Sequence, residues 1–218
     1  MALKLKILYR IVVIIILTAG IGIHSQENKE ESMKIIKDLL PYNDNLEKRN
    51  VRDIDMIVLH CTELPTLKEA RQIGEKIRYK KSKTGNSGHY YIDRKGQIYR
   101  YAADDRIAHH VIGYNQRSIG IEIVNTGRYP NWLLSTNQIP TEEYTREQIE
   151  SVIELCLYLK KRYPGISKLK RHSDLDLEKI EAEDNPDILI RRKIDPGPLF
   201  PWKEVLSKWE KKEKEVKR

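Results

Sequence analysis

Apolar residues change their spacing several times along the 218-residue chain, and each spacing predicts an element. IDMIVLH (Ile54–His60) is apolar on both strand faces, the pattern of a strand in the middle of a sheet. TLKEARQIGEKIRY switches to helical spacing through Leu67, Ala70, Ile73 and Ile77, with Thr66 and Glu69 as a capping box. KTGNSG (Lys83–Gly88) reads as a loop, and HYYIDRKGQIYRY as two strands around a turn at Lys95-Gly96. SIGIEIVN (Ser118–Asn125) returns to strand alternation. TREQIESVIELCLYLKKRY is a helix capped by Thr145 and Gln148, with a stripe of Ile149, Val152, Ile153, Cys156 and Leu159. LKRH (Leu169–His172) reads as a short strand entering a loop, and a last helix follows Pro201 with Trp202, Val205, Leu206 and Trp209. Residues 27–50 are polar and charged, with a short helical candidate around Met33–Leu40. Alternating strands and helices predict an α/β fold: a single domain over 51–218 with a mixed central β-sheet flanked by helices, preceded by a linker over 26–50.

The N-terminus changes the picture of where this domain works. Lys4, Lys6 and Arg10 precede an uncharged run from Ile11 to Ile23. A basic start before a short apolar stretch is the pattern of a secretory signal. The run is shorter than the ~20 residues that span a bilayer. Residues 1–25 are therefore expected to be a signal peptide, with a retained N-terminal membrane anchor as the alternative. Either way the rest is exported, to the periplasm or cell envelope.

The formal charge is +8, which suits an exported protein that meets anionic surfaces. The basic residues are diffuse and carry no nucleic-acid motif, so no nucleic-acid partner is expected. Membrane contact is expected only through a retained N-terminal segment, and the protein is expected to be a monomer. The two cysteines, Cys61 and Cys156, each lie in an apolar stretch, so buried free thiols are expected, with a disulfide as the alternative.

His60 ends a buried strand, and His172 ends a second short one. Strand ends beside loops are where sheet proteins build sites. A hydrogen-bonded histidine at the core edge is the other reading of each. Asp195, in RRKIDPGPLFPW, is followed by a run of prolines that stiffens the backbone. Two histidines and one carboxylate with an open position form a known catalytic zinc set. In SIGIEIVN, Ile119, Ile121 and Ile123 share one face, while Gly120 and Glu122 share the other. Glu122 is the one charged residue in that strand. It is either a general base facing the metal or a carboxylate on a solvated sheet face. Lys193 lies two residues before Asp195 on an extended segment and points the same way, with Ile194 turned towards the core.

VLHCT, SGHYYIDRKGQIYRY, AHH, SIGIEIVN, RHSDL and KIDPGPLFPW, in that order, resemble the zinc-dependent N-acetylmuramoyl-L-alanine amidases. That family includes bacterial recycling and lytic amidases, phage amidases and animal peptidoglycan recognition proteins. The resemblance covers about Ile54 to Trp202 and implies a peptidoglycan recognition protein-like fold with Zn2+ at one end of the sheet. It implies His60, His172 and Asp195 as metal ligands, Glu122 and Lys193 as catalytic residues, and His110 as a residue lining the substrate groove. The tryptophan that precedes this histidine in the family is His109 here. The position of a catalytic tyrosine in phage-type members is Gly88, which favours Glu122 for proton transfer.

The implied reaction is hydrolysis of the amide between N-acetylmuramic acid and L-alanine in peptidoglycan or a muropeptide. A zinc peptidase acting on another cell-wall bond would share the ligands. A binding module without chemistry would lack a ligand or a base, and this chain keeps both. The export reading is checked by fractionation: the protein is expected in the periplasm or on a membrane facing it, and full-length protein soluble in the cytoplasm would overturn it.

Overall fold

The protein's structure, a computed structural model, describes residues 33–216. The signal peptide or anchor expected over 1–25, and the start of the expected linker, lie outside the described residues. In chain order the elements are β1 (Ile35–Lys37), β2 (Met56–Cys61), α1 (Leu67–Gly74), β3 (Tyr90–Ile92), β4 (Ile98–Arg100), β5 (Ser118–Ile123), α2 (Arg146–Arg162), β6 (Lys168–Arg171), α3 (His172–Leu175), β7 (Lys179–Glu181), β8 (Leu189–Arg191) and α4 (Trp202–Val216). Six strands form one sheet in the order β1–β4–β3–β5–β2–β6, and β7 and β8 pair separately. The β3–β4 hairpin is antiparallel, and the other neighbours in the large sheet are parallel, so the sheet is mixed as expected.

β2 has a strand on each side and is buried along its whole length, which is why it is apolar on both faces. One face carries Ile57 and Leu59 of β2 and Ile119, Ile121 and Ile123 of β5. It packs against Ile149, Val152, Leu155, Cys156 and Leu159 of α2 and Val205 and Trp209 of α4. Full burial of each such aliphatic side chain contributes about 1.5–3 kcal/mol, so the register that turns all three β5 isoleucines inward is strongly fixed. α2 starts with the expected capping box: Thr145 accepts from the Gln148 N–H, and the Gln148 side chain accepts from the Thr145 N–H. The opposite face carries His60, Gly120 and Glu122. On that side Tyr91 packs with Leu40, Tyr42, Leu46, Ala70 and Tyr101.

The structure corrects the reading of the lead-in. Residues 35–37 are a strand rather than part of a helix, and they pair with β4 in parallel. An eight-residue helix gains little alone, whereas the β-branched pair Ile35 and Ile36 completes a ladder on the free edge of β4. Leu40, Tyr42 and Leu46 are buried in the core, so residues 33–50 belong to the domain and are not a linker. α1 also stops at Gly74, short of Ile77: Glu75 caps it through its N–H to the Arg71 carbonyl, and Ile77 is half exposed at 51%. The β7–β8 pair gave no clear signal in sequence because its strands are three residues long and mostly exposed. Both cysteines are buried and free.

Candidate metal centre and catalytic cleft

Parallel pairing puts His60 of β2 opposite Glu122 of β5, and Glu122 opposite Tyr91 of β3. Three functional-group side chains thus form a row across one sheet face. β6 runs along the other side of β2, with Arg171 opposite Leu59, and delivers His172 as the first residue of α3. Asp195 arrives four residues after β8. His60 Nδ1 lies 3.0 Å from His172 Nδ1 and 3.1 Å from Asp195 Oδ2, and His172 Nδ1 lies 3.0 Å from Asp195 Oδ2. All three residues are buried.

This near-equilateral triangle fits a cation. Zinc bound tetrahedrally at 2.0–2.1 Å holds its ligand atoms about 3.3 Å apart, within a few tenths of an ångström of these separations. The second Asp195 oxygen, Oδ1, is buried without a hydrogen-bond partner, a cost that a bound dication would offset. Two imidazoles and one carboxylate are also the donor set zinc takes in catalytic sites. Burial and the neighbouring His172 push the His60 pKa down to about 4, so the ring is neutral and can act as a ligand. Burial alone would raise Asp195, but the charge of His172, the close approach of both imidazoles and the charge of Lys193 hold it well below the usual carboxylate range. Cys61, the residue after His60, stays outside the cluster, as its place on the opposite strand face requires.

The triad opens onto a cavity of about 370 Å³, lined also by Glu122, Lys193, Tyr91, Tyr79, His109 and His110. Glu122 is pushed up to about 8, first by burial and then by the Asp195 charge, with Lys193 opposing. A bound dication would act in the same direction as Lys193 and draw the carboxyl back towards ionisation. Gly88 leaves the space Glu122 uses: a Cβ there would meet Glu122 Cγ at 2.8 Å. The loop at this position therefore has no room for a tyrosine. Tyr91, three residues on, puts its hydroxyl 3.3 Å from the Gly88 N–H and is itself raised by burial and by Glu122. Ile194 is half-buried rather than part of the core clusters.

His110 lines the cavity as expected, but both its ring nitrogens are engaged. Nδ1 is 3.0 Å from His60 Nε2, and Nε2 is 3.2 Å from Ser118 Oγ. His109, in the family's tryptophan position, packs against Tyr79 with ring centroids 4.7 Å apart and the ring planes tilted by 47°.

What fixes Asp195 goes beyond its prolines. The Asp195 carbonyl accepts from the Ser173 N–H at 3.0 Å, and the Pro196 carbonyl accepts from the Tyr144 hydroxyl at 2.6 Å. Arg128, 2% exposed, donates to the carbonyls of Arg191 and Arg192, both at 3.1 Å. The same guanidinium makes a two-pronged pair with Glu63, Nε to Oε1 at 2.7 Å and Nη2 to Oε2 at 3.1 Å. Glu63 lies three residues after His60, so one buried ion pair ties the segment after His60 to the segment before Asp195. Sequence reasoning missed this pair. The only signal was two charged residues, Glu63 and Arg128, each just after a strongly apolar strand.

The chain matches the family model described as N-acetylmuramoyl-L-alanine amidase over residues 50–198, more than half its length. Among solved structures it is similar to the N-acetylmuramoyl-L-alanine amidase LysC from Clostridium intestinale URNW, at 26% identity and TM-score 0.58, covering 81% of this chain and 97% of that one. It is also similar to AmpDH3 from Pseudomonas aeruginosa in complex with anhydromuramic pentapeptide, at 25% identity and TM-score 0.55, covering 72% of this chain and 60% of that one. AmiD from E. coli, in complex with anhydro-N-acetylmuramic acid-L-Ala-D-gamma-Glu-L-Lys, is 23% identical with TM-score 0.54, covering 72% of this chain and 58% of that one, and supports the fold. No curated protein sequence matches.

The Arg128–Glu63 pair gives a stability prediction. Arg128→Met leaves Glu63 buried without its partner and is expected to cost about 3–5 kcal/mol. Replacing both partners, as Glu63→Gln with Arg128→Met, is expected to cost less, because no buried charge is stranded. Chemical denaturation of the three proteins checks this, and a near-neutral Arg128→Met would contradict it.

Proposed function

The chain belongs to the N-acetylmuramoyl-L-alanine amidase family, and from that premise we propose that it cleaves peptidoglycan with a zinc ion held by His60, His172 and Asp195. The bond is the amide between the lactyl group of N-acetylmuramic acid and L-alanine. The convergence of three buried ligand atoms within 3.1 Å of one another, beside a half-buried glutamate, supports the reading most directly. The substrate class is a muropeptide or the intact wall polymer.

When bound, zinc supplies Lewis acidity to the carbonyl and makes a water acidic near pH 7. Glu122 takes the proton of the attacking water on its carboxylate and later delivers a proton to the departing alanine nitrogen. The C–N bond breaks, a C–O bond forms, and the new amine carries the proton that Glu122 held. Lys193 faces the same cavity and stabilises negative charge on the carbonyl oxygen as it develops. Tyr91 lies opposite Glu122 and lines the same cavity. His110 contacts substrate through the face of its ring, because its nitrogens are already paired. The basic, then apolar, N-terminus supports action on the exported side of the membrane.

A zinc peptidase with the same ligands would act on muropeptides with or without the sugar. Mass spectrometry of digested muropeptides is expected to show release of the intact stem peptide from the lactyl group. Glu122→Gln is expected to lower turnover by about 10²–10⁴-fold while zinc content and melting temperature stay unchanged. His172→Ala, in contrast, is expected to lose stoichiometric zinc. Near-normal turnover per bound zinc in Glu122→Gln would remove Glu122 as the base, and stoichiometric zinc in His172→Ala would remove the ligand set.

A further inference from the structure

His60 lies at one end of a run of hydrogen bonds whose directions can be read from its other end. The Tyr114 carbonyl can only accept, so the Ser118 hydroxyl donates its single hydrogen to it, at 2.7 Å. Ser118 Oγ then has only lone pairs left for His110 Nε2 at 3.2 Å, so the ring nitrogen is the donor there. A neutral imidazole carries one ring hydrogen. With that hydrogen on Nε2, His110 Nδ1 is an acceptor, and the contact of 3.0 Å requires His60 Nε2 to carry a hydrogen. His60 Nδ1 is then bare, and it is the atom that faces His172 and Asp195.

We infer that Ser118 and His110 are positioning residues that hold His60 in the tautomer whose Nδ1 lone pair faces the metal position. The inference rests on the zinc reading above. It adds what decides which nitrogen of His60 is free to bind.

The surroundings are built around this run. Asn115 Oδ1 accepts from the backbone N–H groups of both His110 and Val111, at 3.0 and 2.8 Å, which fixes the His110 backbone. Arg49 donates to the Ser118 carbonyl at 2.7 Å and to the Asn115 carbonyl at 3.1 Å, so both ends of the serine-bearing turn are tied to one guanidinium. Gly120 supplies the volume: a Cβ there would lie 2.6 Å from the His110 ring. The glycine of SIGIE is thus required by a ring from another segment. His172 is oriented differently. Its Nε2 lies 3.8 Å from Asp176 Oδ2, too far for a direct hydrogen bond, and that carboxylate also receives Arg192. The two histidines therefore have unlike surroundings, a carboxylate beyond hydrogen-bond reach near His172 and a neutral hydrogen-bonded relay for His60.

Partners of this kind typically change metal affinity by about 10–100-fold when removed. Zinc affinity, measured by competition with a chromophoric chelator, is expected to fall by about that factor in His110→Ala. His110→Asn is expected to recover most of the loss, because its carboxamide oxygen lies where Nδ1 was and can accept from His60 Nε2. Ring ¹⁵N shifts of the zinc-free wild type are expected to show His60 protonated at Nε2, and Ser118→Ala is expected to mix the two tautomers. The melting temperature of each zinc-free variant separates ligand positioning from a general loss of fold. A His60 protonated at Nδ1 in the zinc-free wild type would overturn the inference, as would His110→Ala binding zinc as tightly as wild type or His110→Asn binding no better than His110→Ala. Wild-type protein that binds no zinc would instead overturn the metal reading itself, so the two failures are distinct.

Discussion

The site depends first on the pairing of β2 with β5. In this register His60 sits opposite Glu122, and the isoleucines of β5 all turn to the α2 side. A shift of one residue in either strand would carry its polar residue into the isoleucine layer and expose the apolar set to the cavity. The strength of the apolar face is thus what aims the polar one. β6 and β3 extend the same arrangement to either side, bringing the His172 segment and Tyr91 into the row. Parallel strands point their C-terminal ends the same way, so side chains far apart in sequence meet without a local motif.

The second dependence is electrostatic. Asp195, Glu122 and Glu63 all line one cleft, and the charges of Asp195 and Glu63 raise the cost of ionising Glu122. The fold separates them by giving each a different companion. Glu63 has Arg128, Asp195 has two imidazoles and the charge of Lys193, and Glu122 has only the partial help of Lys193. The glutamate with the least compensation is the one most ready to accept a proton. The same division gives three carboxylates of nearly identical chemistry three different environments.

Much of this was legible in the chain. The strand IDMIVLH, the face-splitting of SIGIEIV and the capping box at Thr145 are local patterns with local causes, and they appear where the spacing puts them. The meeting of His60, His172 and Asp195 was legible through strand ends, a stiffened aspartate and an ordered set of blocks. What sequence did not carry was partnership at a distance. Nothing near Arg128 indicates that it reaches Glu63 and two carbonyls before Lys193. Nothing near Ser118 indicates that its hydroxyl is the start of a hydrogen-bond direction that ends at His60. Residues 33–50 were misread because their apolar residues are spaced for a strand edge and a winding segment, which have no period long enough to count. α1 was read too long because Ile77 continues a helical spacing that the chain leaves after Gly74.

The glycines around the cleft have a consequence for anyone trying to make the protein more robust. Replacing glycine with alanine is a common route to a sturdier protein, because it narrows the choices of the unfolded chain by about 0.4–1 kcal/mol. At Gly88 the added methyl would meet Glu122 Cγ at 2.8 Å, and at Gly127, where φ is +53°, it would meet Glu63 Cγ at 2.7 Å. Each empty position is therefore filled in practice by a carboxylate from another segment. Thermostabilisation by consensus or entropy rules would displace Glu122 in one case and, in the other, Glu63, whose partner Arg128 holds the segment before Asp195. Among the described glycines the tolerant position is Gly74, whose φ lies outside the left-handed region and where an added Cβ would meet Leu40 Cδ2 at 3.6 Å, an ordinary contact.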